Sequence, residues 1–230
     1  LNPHVTYFLI LTASIAGPLL LSFDKKVAFY KKWKYLFPAM ILPALFYIGW
    51  DIYFTAKNIW SFNENYITGI KLFNLPIEEI LFFFVVPYCC LFIYECLRTY
   101  FPNIKNITQA DIIFKIVAFF LAVTSIFFYD KAYTFCTLIF LSIFIALIYF
   151  GKKYFKSFNA SSFLISYAVI LIPFLMVNGF LTAIPVVVYN NAENMAIRIF
   201  TIPVEDIFYG MLLALMNVVI YEKLQEKVSY

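Results

Sequence analysis

The sequence predicts an all-α fold: a polytopic membrane helical bundle of about seven transmembrane helices, arranged as two parallel three-helix repeats joined by a linker helix. Three observations predict it. Hydrophobic residues make up 64% of the chain and charged residues 13%, where a soluble domain carries roughly a quarter charged residues. Seven runs approach the roughly 20 mostly apolar residues that a span needs, and short connections join them. One stretch also occurs twice: NLPIEEILFFFVVPYCCLFIYE at 74–95 aligns without a gap on TIPVEDIFYGMLLALMNVVIYE at 201–222. Pro76 falls on Pro203, Glu78 on Glu205, Glu79 on Asp206, Tyr94 on Tyr221 and Glu95 on Glu222.

The first helix covers about 5–23, with Gly17-Pro18 as a kink. It has no basic flank before it and no small-residue cleavage site after it, so a retained helix is expected rather than a signal peptide. A basic hinge with Lys25, Lys26, Lys31, Lys32 and Lys34 follows. The second helix, about 35–54, carries Pro38 and Pro43 and closes around Gly49-Trp50-Asp51. A polar loop at 55–75 leads into the third helix, 76–97. The fourth, about 112–129, returns to the opposite face at Asp130-Lys131, and the fifth, about 133–150, runs back to Lys152, Lys153 and Lys156. The sixth, about 162–181, contains Pro173, Asn178 and Gly179; a loop at 182–202 precedes the seventh, 203–224.

Alternating sides from the basic hinge gathers that hinge with Arg98, Lys105, Lys152, Lys153, Lys156, Lys223 and Lys227 on the inner face, against Lys57, Lys71, Lys131 and Arg198 outside. The bias orients a multi-pass protein of the cell membrane with its amino terminus out, and Lys115 snorkels to the inner headgroups. The net charge of +4 fits loops facing anionic lipid. Nothing in it signals nucleic acid.

Residues 41–50 parallel 171–180, with Pro43 over Pro173 and Gly49 over Gly179. The units are therefore a first repeat at 1–98, a connector with the fourth helix at 99–131 and a second repeat at 132–230. An odd number of helices per repeat would invert the second, and the connector restores its orientation, so both acidic motifs lie at one depth.

Proline is pre-organised for a first helical turn and acids there complement the helix dipole, so one such motif is explained as a well-made helix start. Two copies beside a membrane interior point further, because ionisable groups there are costly and mark function. Adjacent carboxyls in a low-dielectric pocket do not both ionise readily, which sets an acid beside a base. The aromatic residues that follow, Phe82, Phe83 and Phe84 in one copy and Phe208 and Tyr209 in the other, present faces that stabilise cations. Protonation of an alkene, rearrangement through a carbocation and loss of a proton is the reaction class these parts suit, with no cofactor expected. Cys89, Cys90, Cys96 and Cys136 have no CxxC spacing and His4 is the one histidine, which argues against zinc or haem.

The paired P-x-E-[ED] motifs, NLPIEE and TIPVED, resemble those of the membrane-embedded lycopene cyclase domain family, in a fused form that joins what other members carry as two small subunits. The resemblance implies cyclisation of the linear ends of lycopene to β-ionone rings, giving β-carotene through a one-ring intermediate without net oxidation. It also implies Glu78 and Glu205 as leading acids, with Glu79 and Asp206 as partners. Phe82, Phe83, Trp50, Asn178, Phe208 and Tyr209 are the expected substrate-binding residues. The expected partners are a carotenoid drawn from the bilayer, membrane lipids and other carotenoid-pathway enzymes.

Asp51 has no carboxylate twin, since Phe180-Leu181 stands opposite Trp50-Asp51, and at a helix end it reads as interfacial, with catalysis the alternative. Asn178 and Asn217 are expected to bond between helices. Glu95 and Glu222, near Arg98 and Lys223, read as surface residues. A retinal protein needs a lysine deep in the last helix, where only Lys223 stands at the edge, and a prenyltransferase needs Asp-rich magnesium motifs. A carotenoid- or lipid-binding membrane protein or a transporter remains the competing reading.

Overall fold

The computed structural model describes residues 2–226. Within them the chain forms seven helices long and apolar enough to cross a membrane: α1 (Thr6–Leu21), α2 (Trp33–Ala56), α3 (Ile77–Tyr100), α4 (Thr108–Phe127), α5 (Ala132–Phe150), α6 (Ala160–Ala183) and α7 (Glu205–Glu226). The expected inner cation Lys227 lies outside the described residues. Several helices run through prolines, which lack the N–H owed to the carbonyl four residues back. Pro18 leaves the Ser14 carbonyl free, and the Cys89 thiol on α3 donates to it at 3.5 Å.

The two helices that carry the acid motifs form the centre. The apolar window of α7 is 72% buried and that of α3 56%, against 11% for α1, so α1 faces lipid while α7 is enclosed by protein. Within each repeat α1 packs on α3 and α5 on α7. Between repeats α3 lies against α6 and α7 against α2, which interlocks the two units. Helix α4 packs on α5 and α6 at the periphery, as a connector should.

Six short strands cap the acid-motif end. β1 (Trp60–Phe62) pairs antiparallel with β4 (Val187–Tyr189), while β2 (Lys71–Leu72) with β3 (Leu75–Pro76) and β5 (Arg198–Ile199) with β6 (Ile202–Pro203) form hairpins directly before α3 and α7. The offset that maps Glu78 onto Glu205 maps each hairpin onto the other, including left-handed Phe73 and Phe200, both at φ 56°. It also maps Ser61 onto Val188, and these two pair directly. The pseudo-two-fold axis therefore passes between β1 and β4.

That offset holds for α2 and α6 as well, whose 24-residue spans coincide under it. The match of Pro43 to Pro173 is thereby corrected by three residues: Phe46 lies over Pro173, Trp50 over Val177 and Asp51 over Asn178. A slip of about one helical turn keeps every apolar residue on nearly the same face, so the hydrophobic pattern does not resist it.

Glu95 and Glu222 are not surface residues; they are 0% and 4% exposed at the basic end of α3 and α7. Lys32 pairs with Glu95, Arg98 reaches Glu95 at 3.4 Å and Glu222 at 3.9 Å, and the Tyr94 hydroxyl donates to Glu222. This ionic clamp holds the two central helices together. Asn178 and Asn217 donate within their own helices, to Phe174 O at 2.9 Å and Leu213 O at 2.8 Å, rather than between helices.

Candidate functional site

The first turns of α3 and α7, the inner faces of α1, α2, α5 and α6, and the β1–β4 cap enclose a chamber of about 30 Å³. Three carboxyls line it: Glu79, Asp206 and Asp51. Helical spacing selects them. On α3 Glu79 and Phe82 are three apart, and on α7 Asp206 and Tyr209 are three apart, so each pair shares one face.

Every chamber acid accepts from tyrosine. Tyr7 on α1 donates to Glu79 Oε2 at 2.6 Å, and Tyr133, in the corresponding place on α5, donates to Asp206 Oδ1 at 2.5 Å. Tyr189 on β4 donates to Asp206 Oδ2 at 3.1 Å, and Tyr209 donates to Asp51 Oδ1 at 2.9 Å. Burial and the Asp206 carboxylate push the Tyr189 hydroxyl well above the ordinary tyrosine pKa, so it stays a donor. Asp51 and Glu79 line the same buried chamber, and two carboxyls in one low-dielectric pocket do not both ionise readily, which leaves a proton on one of them. Among the described residues none of the three carboxyls forms a salt bridge. Anionic groups left without cations in a buried site favour a positive charge that arises there.

Aromatic rings close the chamber. Trp60 on β1 lies 5.2 Å from Tyr133 and 6.1 Å from Tyr189 between ring centroids, and Tyr47 lies 4.8 Å from Tyr209.

The two acids of each motif part company. Glu78 and Glu205 are 0% exposed but do not line the chamber. Glu78 Oε1 accepts from the Thr68 backbone at 2.8 Å, and Glu205 Oε1 accepts from the Met195 backbone at 2.8 Å and the Thr134 hydroxyl at 2.6 Å. Each ties the loop before its hairpin to the helix start. The expectation that both members of a pair face one cavity is corrected here, because consecutive residues on a helix point about 100° apart. Their remaining oxygens, Glu78 Oε2 and Glu205 Oε2, are buried without a protein partner.

Of the expected substrate-binding residues, Phe82, Asn178 and Tyr209 line the chamber. Trp50 stands behind it, its ring 5.2 Å from Tyr209, and Phe83 packs on Tyr47 at 5.4 Å. Phe208 packs on the core without lining the chamber, and Phe84 is 36% exposed. Asp51 is corrected from interfacial to central, at 1% exposure, because α2 runs on to Ala56 and leaves it more than a turn inside. Its repeat mate Asn178 lines the same chamber, so the halves present an acid and an amide at equivalent points. Sequence reasoning missed Tyr7, Tyr133, Tyr189 and Trp60. The tyrosines that open α1 and α5 were the available signal, but they are offset by one position from the acid-motif register.

A family model described as lycopene cyclase matches residues 4–97 and 130–224, and the gap between the two segments contains the whole of α4. The "Lycopene beta-cyclase" of Halobacterium salinarum is 42% identical over 60 residues, 23% of this chain and 25% of that protein. The "Bifunctional lycopene cyclase/phytoene synthase" of Phaeosphaeria nodorum is 38% identical over 47 residues, 20% of this chain and 8% of that protein. The matched stretches thus span a quarter or less of those relatives. No solved structure matches the chain.

Proposed function

The chain belongs to the lycopene cyclase family, and from that premise we propose that it converts the linear ψ-ends of lycopene to β-ionone rings, through γ-carotene to β-carotene. The observation that carries this reading is the set of three carboxyls from both repeats, hydrogen-bonded to tyrosines, walled by aromatic rings and, among the described residues, in no salt bridge.

The proposed chemistry is redox-neutral. A proton carried by one carboxyl of the Asp51 and Glu79 pair adds to the terminal double bond of the chain and leaves a tertiary cation. The π electrons of a nearby double bond close on that cation and form the ring bond, and the charge moves into the ring. A ring proton then leaves to Asp206, which gives the ring alkene, so the hydrogen count and oxidation level are unchanged. Tyr7, Tyr133 and Tyr189 orient the carboxyls, and the faces of Trp60, Phe82 and Tyr209 stabilise the travelling charge. The leading-acid role expected of Glu78 and Glu205 passes in this proposal to Glu79, Asp51 and Asp206, with the first acids holding the loops. At about 30 Å³ the chamber has room for water but not for the end of a carotenoid, so substrate binding widens it.

Expression in a lycopene-accumulating bacterium tests the proposal. Bicyclic product in the pigment extract is expected. Unchanged lycopene beside correctly inserted protein would contradict it and favour a non-catalytic carotenoid-binding role.

A further inference from the structure

The repeats meet along two equivalent seams, α5 against α2 and α1 against α6. Rings fill the first: Phe140 of α5 lies 5.6 Å from Phe46 and 4.9 Å from Trp50 of α2. The matching positions in the second are Ser14, Pro173 and Val177, with α1 set in register by Tyr7 over Tyr133. Where the rings would stand there is open space. A groove of about 690 Å³ runs between α1 and α6, and Ser14, Pro173 and Val177 line both it and an inner cavity of about 180 Å³ against α3.

We propose that this groove seats the linear polyene on its way to the acid chamber, and that the ring-filled α2–α5 seam is closed to it. The inference rests on the cyclase reading and adds the place where substrate binds and its direction of approach. Three observations carry it. The two cavities extend from Pro3 to Pro18 along α1, a length of about 20 Å at the helical rise, which suits an extended chain. Their walls include Leu9, Ile10, Met176 and Phe174 but no lysine or arginine, so nothing there holds a phospholipid headgroup. The groove and its inner cavity also share three helices with the chamber. Tyr7, Phe82 and Asn178 line the chamber, while Thr6 and Val177 line the groove and Val86 its inner cavity, on the same three helices and within four residues of the chamber positions.

One lateral opening serving one chamber means that the two ends of a symmetric polyene react in separate visits. Rebuilding the other seam's plug with Ser14→Phe and Val177→Trp tests the assignment. Protein purified from lycopene-accumulating cells is assayed for bound polyene absorbance per mole, with Ile172→Phe, on the 65%-exposed face of α6, as control. The plugged variant is expected to lose roughly tenfold or more of its pigment, with the control unchanged. A monodisperse plugged variant that keeps the wild-type load would overturn the groove.

Cys89, which lines the inner cavity, supplies a second readout in unaltered protein. Its modification by N-ethylmaleimide in bicelles, followed by peptide mass spectrometry, should slow on addition of lycopene, and an unchanged rate overturns the proposal even where the plugged variant does not fold. Wild type that binds polyene but leaves it linear would sink the cyclase reading and keep the groove. Wild type that cyclises while the plugged variant keeps its pigment would do the reverse.

Discussion

Glu79 and Glu78 are neighbours in sequence with different surroundings, and the difference predicts different phenotypes. Glu79→Gln, Asp51→Asn and Asp206→Asn should each lower ring formation by roughly 100-fold or more at equal protein level, read by pigment chromatography. Glu205→Ala removes the acceptor for Met195 N–H and the Thr134 hydroxyl and should instead cost about 2 kcal/mol of stability, read by thermal unfolding in detergent. Residual turnover in Glu205→Ala well above that in Glu79→Gln is the discriminating result. The sequence made the acid pairs visible because proline and two carboxylates at a helix start are a local signal. It did not separate their roles, since a carboxylate that ties down a loop and one that faces a chamber read alike. Asp51 was hidden by its place near the expected end of the second helix, which made a buried stretch of α2 look like a membrane interface, whereas α2 runs on to Ala56.

At the level of elements, α3 and α7 carry the chamber acids at one end and an ionic cluster at the other. Glu95, 0% exposed, is held by Lys32 and Arg98, and Glu95→Gln removes the carboxylate paired with Lys32 and leaves Arg98 with Glu222. Both cations are partly solvated, so the cost is discounted to about 1–3 kcal/mol. The expected outcome is a lower unfolding temperature with the pigment profile intact; a lost product at unchanged stability would instead join this cluster to the chemistry. Helix number and order were legible, because apolar run length is dictated by bilayer thickness. The pairing of α2 with α6 was not, because prolines attracted an alignment three residues out and no contact was there to refuse it. The hairpins escaped notice too, being two-residue strands in loops that read only as polar.

For the whole molecule, the repeats cannot be treated as separate bodies. β1 pairs with β4 across the pseudo-two-fold axis, α3 lies on α6 and α7 on α2. Two chains made by interrupting the connector between α3 and α4 should therefore associate and co-purify when expressed together, and fragments that elute apart would contradict the interlocked arrangement. The symmetry that builds the chamber is imperfect: Asp51 lines it from one repeat where Asn178 does from the other, and Phe140 packs on Phe46 and Trp50 at one seam where Ser14, Pro173 and Val177 border open space at the other.

The central claim is that a carboxyl proton starts the ring. Lycopene cyclised by the purified protein in deuterated water should yield product carrying one deuterium for each ring formed, as read by mass spectrometry, because the carboxyl exchanges with solvent before it donates. Ring product with no deuterium would contradict it.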